Sequence, residues 1–183
     1  VAIHRVVPPD DRGDLAGAPL LLKEMPNYVP RAFVAIEDRR FYEHYGVDPF
    51  GIGRAFVANV LHRSVAQGGS TLTQQLAKNL FLTQERTITR KLQEVLLALW
   101  LERKFSKTQI LELYLNVAEW GEGVFGAEAA ARHYYGVSAA NLAPEQAARL
   151  AAMLPRPRFY DRNRGSKYLA TYAQRILVRM PSA

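Results

Sequence analysis

The sequence contains no cysteine and only four histidines among its 183 residues. The lack of cysteine excludes disulfides and thiolate metal sites, and it is compatible with an exported protein as well as with a cytosolic one. The histidines stand at positions 4, 44, 62 and 133, so that none forms a close ligand pair. A histidine-based zinc site is therefore not expected.

Acidic residues are also scarce relative to basic ones. Seventeen acidic and 24 basic residues give a net charge of +7, and the pI is about 9.8. Such a balance implies an acidic partner or surface. The chain has no helix-turn-helix signature, zinc-finger spacing or aromatic-basic ribonucleoprotein motif, so nucleic acid is not the expected partner. An anionic lipid surface or a diphosphate substrate accounts for the charge equally well.

Long apolar runs are absent as well. No run approaches the ~20 residues that a membrane-spanning helix needs, and no signal peptide is visible. The run VLLALWL at 95–101 is flanked by charges, and it predicts a buried core helix. With 49% hydrophobic residues the chain can bury one sizeable core, and most segments between 30 and 155 have helical periodicity. We therefore expect a mostly α single domain.

What the sequence does have is a dense polar stretch, QGGSTLTQQLAKN, at 67–79. Ser70 or Thr71 can cap a following helix, and Gln74 stands three residues after Thr71 as a capping-box partner. The start of this helix, with hydroxyls beside it and Lys78 two turns along, would suit an oxyanion such as a phosphate. A well-capped surface helix without a ligand explains this stretch equally well.

A glutamate interrupts an aromatic pattern upstream. If the segment from about residue 30 is helical, Phe33, Glu37, Phe41 and His44 share one face. A carboxylate on an apolar face is either paired with a cation or placed in a cleft with a raised pKa, ready for proton transfer. The ion-pair role is the commoner of the two. His44 fits a cap or a packing role better than a catalytic one.

Charged residues also precede the apolar run at 95–101. Arg90, Lys91 and Glu94 stand on the first turns of the predicted helix, with Lys91 and Glu94 at i, i+3 spacing. That spacing alone indicates an ordinary surface pair. Because the helix is expected to be central to the fold, the same residues would place an acid and two cations at the edge of the core.

These segments together resemble the peptidoglycan glycosyltransferases of glycosyltransferase family 51, found as monofunctional enzymes and as the amino-terminal domain of class A penicillin-binding proteins. Five family motifs occur in order, across roughly residues 25–157: EDRRFYEHYGVD (37–48), GGSTLTQQLAKN (68–79), RKLQE (90–94), ILELYLN (110–116) and GVFGAEAAA (123–131). Any one of them would be weak evidence, and five in order are strong.

The resemblance implies a lysozyme-like helical head with a smaller membrane-facing jaw. We expect residues 1–24 to form an irregular amino-terminal arm and residues 25–183 to form the glycosyltransferase domain, with the jaw segment at about 50–66. An apolar face flanked by arginines suits interfacial insertion there, although an amphipathic core helix explains the same pattern. The sequence does not decide between a monofunctional enzyme and one domain of a larger polymerase. In either case the resemblance implies a membrane anchor that this chain lacks.

The implied reaction is polymerisation of lipid II into glycan strands with inversion, with release of undecaprenyl diphosphate at the extracytoplasmic, periplasmic face of the inner membrane. Glu37 matches the catalytic base, and Glu94 would be the second acid. The diphosphate and sugar would be held by Ser70, Gln75, Lys78, Arg86 and Lys91. No metal ligand is assigned and no cofactor is required, while a divalent cation, Mg²⁺ or Mn²⁺, stays open. The implied partners are lipid II, the growing glycan chain, the membrane surface and other cell-wall synthesis proteins.

Two other function classes stay open. A lysozyme-like muramidase or lytic transglycosylase would also use a helix-borne glutamate, but it would not need cations around a diphosphate. A non-catalytic glycan- or membrane-binding scaffold would use the same acids only as ion-pair partners.

Overall fold

A computed structural model of the chain describes residues 15–16, 19–62, 69–82 and 87–180. The chain divides into two compact units: a terminal unit of residues 1–39 and 111–183, and a central unit of residues 40–110. Both are built mainly of helices, which confirms the predicted mostly α class. The division into an arm, a domain and a jaw stays a prediction.

Helices make up most of the described chain. They are α1 (Tyr28–Glu37), α2 (Pro49–His62), α3 (Leu72–Phe81), α4 (Ile88–Lys104), α5 (Lys107–Val117), α6 (Ala127–Tyr135), α7 (Pro144–Met153), α8 (Pro157–Arg162) and α9 (Lys167–Arg179). Single 3₁₀ turns occur at Leu22–Glu24 and Ala139–Asn141. The short helix α8 was not predicted, because Pro155 and Pro157 suggested only the end of α7.

The first helix is shorter than the sequence predicted. α1 ends at Glu37, and Asp38 leaves the helix with φ −159° and ψ 78°. Arg39 donates from Nε to the carbonyl oxygen of Ala35 at 3.2 Å, which satisfies one of the orphan carbonyls at the helix end. Phe41 and His44 therefore do not lie on this helix. The predicted shared face of Phe33, Glu37, Phe41 and His44 is wrong beyond Glu37.

The core of the terminal unit lies among α1, α7 and α9. Phe33 of α1 packs edge-on against Trp120 at 5.6 Å between ring centroids, and the Trp120 indole donates to the carbonyl oxygen of Leu150. On α7 the small residues at 147, 148, 151 and 152 are buried, which lets this alanine-rich helix pack closely against its neighbours. α9 buries one stripe at i, i+4, i+7 spacing, namely Leu169, Ala173 and Ile176.

A small three-stranded sheet joins the chain's early residues to this unit. Its order is β1 (Leu15–Ala16), β3 (Val124–Phe125), β2 (Glu119–Gly121), with β1 parallel and β2 antiparallel to β3. Leu15 is in register with Val124. Part of the predicted irregular arm is therefore a strand.

The central unit is built from α2, α3 and the long helix α4. α3 packs on α4, and each of them buries only one side. On α4 the buried residues are Glu94, Ala98 and Leu101. The prediction that this is a buried core helix is wrong, because the apolar side chains at 88, 92, 96, 99 and 100 are exposed. The hydrophobicity of the sequence predicts a helix here but does not show which of its sides is covered by other residues.

Candidate active site

The polar stretch at 67–79 begins a helix as predicted. Thr71 is the N-cap of α3: its hydroxyl accepts from the backbone N–H of Gln74, and the Gln74 side chain accepts from the backbone N–H of Thr71. The Thr71 hydroxyl also donates to the carbonyl oxygen of Gly46 at 2.7 Å. These bonds fix the start of α3 and the position of Ser70 just before it.

Ser70 belongs to a cluster of charged side chains at the start of α4. Lys91 donates from Nζ to the Ser70 hydroxyl at 2.9 Å and to Glu94 Oε1 at 2.5 Å. Arg90 donates from Nη1 to the second Glu94 oxygen at 3.1 Å. The helical spacing of i, i+3 and i, i+4 brings both cations to one carboxylate, as the sequence predicted for Lys91 and Glu94.

Burial differs sharply within this cluster. The Glu94 side chain is only 4% exposed and that of Arg90 17%, whereas that of Lys91 is 46% exposed. Two cations against one carboxylate leave a net charge of +1. Because Arg90 can keep Glu94 neutralised inside the unit, the Lys91 ammonium can turn to an incoming anion without leaving a buried charge unpaired. Glu94 therefore acts here as a buried counter-ion.

Two of the remaining predicted ligands of the diphosphate lie on α3, the helix that begins just after Ser70. Gln75 is half-buried on α3, and Lys78 is exposed in the last turn of the same helix, three residues further on. Residues three apart lie on the same side of a helix. Arg86 lies outside the described residues, as do Gly68 of the second motif and residues 63–66 of the predicted jaw segment.

Glu37, the predicted base, is the last residue of α1 and is half-buried in the terminal unit. Its charge influences two phenols of this unit. Burial, and then the Glu37 carboxylate, raises the pKa of Tyr114 well above its usual range. Burial and the same carboxylate raise the pKa of Tyr172 to about 12. Glu37 is thus bordered by phenols that stay protonated at neutral pH.

These two tyrosines were missed as site residues. Tyr114 lies in the fourth motif, ILELYLN, so the motif itself could have pointed to it. Tyr172 comes from α9, more than a hundred residues after Glu37, and no local pattern could have linked them. The packing of α9 against α1 brings Tyr172 within the electrostatic influence of the Glu37 carboxylate.

The fourth motif has a second use in the terminal unit. Asn116 pairs with both backbone groups of Leu20, accepting from its N–H at 3.0 Å and donating to its carbonyl oxygen at 2.9 Å. Glu112 accepts from the backbone N–H of Leu22 at 2.8 Å. These polar residues of α5 hold the segment that leads into α1, and so they position the helix that ends in Glu37.

The central unit exposes many apolar side chains. On α2 these are Phe50, Ile52 and Val57, and on α4 a row at i, i+4 spacing begins with Ile88, which is 83% exposed, and includes Leu96, which is 67% exposed. Within the described ranges no helix is long and apolar enough to cross a bilayer. The same part of the chain contains no group of three or more His, Asp or Glu side chains arranged to hold a metal ion.

These features define a class of protein. A mostly helical chain carries one half-buried acid at the end of a helix, and a cation cluster beside a capped helix start that suits an anionic group. That combination is typical of enzymes that pair a general acid or base with a site for an anionic group.

Comparison with known proteins gives the family. A family model described as "Transglycosylase" matches residues 14–181. The biosynthetic peptidoglycan transglycosylase of Nitrosomonas eutropha is 55% identical over 161 residues, which cover 88% of this chain and 66% of the relative. The protein of the same name from Janthinobacterium is 57% identical over 157 residues, covering 86% and 68%. That of Nitrosospira multiformis is 55% identical over 156 residues, covering 85% and 68%. This chain belongs to the transglycosylase family.

Membership confirms the predicted resemblance and the predicted enzyme class. The chain spans about two thirds of the length of the curated relatives it matches. The roles of individual residues are not tested by these likenesses, and they enter below as proposals.

Proposed function

We propose that this chain polymerises lipid II into glycan strands, with inversion at the anomeric carbon and release of undecaprenyl diphosphate. Family membership supports the reaction class. The observation on the molecule that carries the proposal is the cluster of Lys91, Glu94 and Ser70, because it offers a half-exposed cation and a hydroxyl next to a capped helix start. Such a site suits the diphosphate that leaves in this reaction.

Glu37 is the proposed general base. The growing glycan chain is the donor and lipid II the acceptor. Glu37 takes the proton of the acceptor's 4-hydroxyl while the hydroxyl oxygen bonds to the donor's anomeric carbon. The bond from that carbon to the diphosphate oxygen breaks, and its electron pair leaves with the diphosphate. Support comes from the half-buried position of Glu37 beside phenols that keep their protons, because such surroundings leave the carboxylate as the group able to accept one.

The departing diphosphate is stabilised by Lys91 and Ser70, together with Gln75, Lys78 and Arg86. Arginine and lysine form charge-assisted hydrogen bonds to phosphate oxygens, and these shorten as charge develops. Glu94 is the second acid of this site, and we assign it to positioning: it accepts from Lys91 and Arg90 and holds the lysine beside Ser70. Glu94→Asp is expected to impair the reaction less than Glu94→Gln, because it keeps the counter-charge.

No cofactor is needed in this scheme, since lysine and arginine can neutralise a diphosphate by themselves. A divalent cation, Mg²⁺ or Mn²⁺, would have to be held largely by the substrate's own oxygen atoms, because the described residues offer no cluster of acids for it. Polymerisation in EDTA, with Mg²⁺ or Mn²⁺ restored in parallel samples, measures this directly. Full activity in EDTA is the expected result, and a strict requirement for the metal would contradict it.

We further propose that the protein works at the extracytoplasmic face of the inner membrane, with the central unit against the lipid. Support comes from the exposed apolar side chains of α2, within the predicted jaw segment at 50–66, and of α4. Apolar side chains next to basic residues suit the interface of an anionic bilayer. The double variant Ile52→Asp, Val57→Asp should lose sedimentation with phosphatidylglycerol vesicles. The control Val178→Asp changes an even more exposed apolar residue of the terminal unit, and equal vesicle binding by both variants would contradict the proposal.

The decisive experiment is polymerisation of labelled lipid II by the unaltered chain and by Glu37→Gln, with folding of both checked by circular dichroism. We expect long glycan from the first and none from the second. Glu145→Gln is the matched control, since Glu145 is an exposed glutamate in the first turn of α7 and should leave activity unchanged. A folded, unaltered chain that cleaves glycan, or binds it without making any, would replace the polymerase with the lytic or scaffold function.

A further inference from the structure

The terminal unit contains a cavity that the proposed reaction does not use. A cavity of about 170 Å³ is lined by Tyr134, Tyr135, Arg149, Met153, Arg164 and Leu169. Met153 and Leu169 are buried, whereas Arg164 is exposed and Arg149 is half-buried. The cavity therefore has an apolar inner end and a cationic, accessible outer end.

The arginine at one side is held firmly in place. Arg164 donates to Asp161 at 2.7 Å, and its guanidinium lies 4.8 Å from the centre of the Tyr134 ring. Tyr134 in turn donates its hydroxyl to the carbonyl oxygen of Trp120. Burial acts to raise the pKa of Asp161, but the hydrogen bond from Arg164 and its charge lower it. The only carboxylate beside the cavity is thus already engaged, as far as the described residues show.

The other side carries donors that are still unused. Arg149 has five N–H groups, and its one hydrogen bond to described residues goes to the carbonyl oxygen of Arg164. No described carboxylate forms an ion pair with it. The Tyr135 hydroxyl makes no hydrogen bond within the described residues, and burial raises its pKa while the charge of Arg149 acts against that rise. The polar capacity left in the cavity is therefore of the donor type and positively charged.

We propose that this cavity binds the free carboxylate of a small apolar residue, that is, the carboxyl terminus of a peptide ending in alanine. Arg149 and Tyr135 would donate to the carboxylate, and the methyl group would lie against Met153 and Leu169. Size agrees, because a cavity of about 150 Å³ holds a benzene ring, and an alanine residue with a free carboxylate has the same number of heavy atoms. A phosphate group would use the arginines but leave the apolar inner end uncovered.

The three methionines of the chain allow a direct test. The 183-residue chain with ¹³C-labelled methionine methyl groups gives three signals, and Met153→Leu assigns one of them. Titration with N-acetyl-alanyl-alanine should shift the Met153 signal and leave those of Met25 and Met180 unchanged. The C-terminal amide of the same dipeptide lacks the carboxylate and should bind at least about tenfold more weakly. Equal shifts with acid and amide, or no shift of Met153, would overturn the proposal.

Variants and enantiomers sharpen the test. Arg149→Gln and Tyr135→Phe should each weaken binding, the first by about tenfold. Arg175→Gln, on the exposed side of α9, is the matched control and should bind as the parent does.

The L,L-dipeptide represents a protein terminus and the D,D-dipeptide a cell-wall peptide, so their relative affinities identify the source. Glu37→Gln should bind both probes unchanged, which keeps this outcome separate from that of the polymerase assay. Unchanged binding by Arg149→Gln and Tyr135→Phe together would refute the assignment.

Discussion

Replacing Glu94 by glutamine should destabilise the protein markedly, whatever it does to activity. The Glu94 side chain is 4% exposed and accepts from Arg90 at 3.1 Å and from Lys91 at 2.5 Å. Glutamine keeps the shape but removes the negative charge. The Arg90 guanidinium, 17% exposed, is then left without its counter-ion, and its Nε is a buried atom that already lacks a hydrogen-bond partner.

The size of the loss follows from the burial of each partner. Removing one partner of a buried ion pair costs about 3–5 kcal/mol, because the remaining charge is uncompensated. Lys91 is 46% exposed and can turn into water, so its share is no more than that of a surface pair, ~0–1 kcal/mol. We therefore expect a loss of about 3 kcal/mol, mostly from Arg90. For a protein of this size that lowers the midpoint of thermal unfolding by about 6–12 °C.

Thermal unfolding followed by circular dichroism tests this with a double-mutant cycle. Lys91→Met should lower the midpoint only slightly. Glu94→Leu should lower it strongly, and the double variant Arg90→Met, Glu94→Leu should recover at least about 1 kcal/mol of that loss, because it removes the stranded charge. If Glu94→Gln melts at the same temperature as the parent, or if the double variant is merely the sum of its parts, Glu94 is not a buried counter-ion.

Three further predictions follow from single features of the fold. Thr71→Ala removes the cap of α3 and should cost about 1–2 kcal/mol in thermal unfolding, whereas Thr71→Ser should not; equal melting of the two would contradict the role of the hydroxyl. Gly126→Ala should be severely destabilising, because φ is 87° and the new Cβ would lie 2.9 Å from the carbonyl oxygen of Asn116, while Gly136→Ala, with φ 69° and open space, should cost only about 1–2 kcal/mol. Because the pKa of Tyr172 is raised to about 12, the folded state holds the phenol proton more tightly than the unfolded chain does. The contribution of Tyr172 to the free energy of unfolding is therefore fully present below pH 10 and is lost as pH rises towards about 12. Melting midpoints across that range should fall less steeply for Tyr172→Phe, and identical slopes would exclude the effect.

Several local features could be predicted because they depend on neighbours in the sequence. The capping box of Thr71 and Gln74, the pair of Lys91 and Glu94, and the proline that opens α7 all involve residues within one helical turn. Such spacing has nearly the same consequence in any fold. The five motifs in order added the family, because their combination is far more specific than any single one.

Other features depended on which surfaces meet. Helical periodicity predicted that α1 continues to residue 44, but α1 ends at Glu37, where Arg39 donates to the carbonyl oxygen of Ala35. The hydrophobic content of α4 predicted a buried core helix, although most of its apolar residues are exposed. A window of sequence reports how apolar a helix is and cannot report what covers it.

The sequence alone therefore determined the mostly α class, the helix starts, the family and the candidate acids and cations, since these rest on spacing within a turn and on the order of motifs. Tertiary structure decided which charged side chains are buried, as Glu94 is, and which stay accessible, as Lys91 does. It placed Tyr114 and Tyr172 around Glu37. It also assembled the arginine-lined cavity from α6, α7, α9 and the residues that follow α8. The physical reason is that desolvation and charge pairing depend on contacts between residues far apart in the chain, which no local pattern contains.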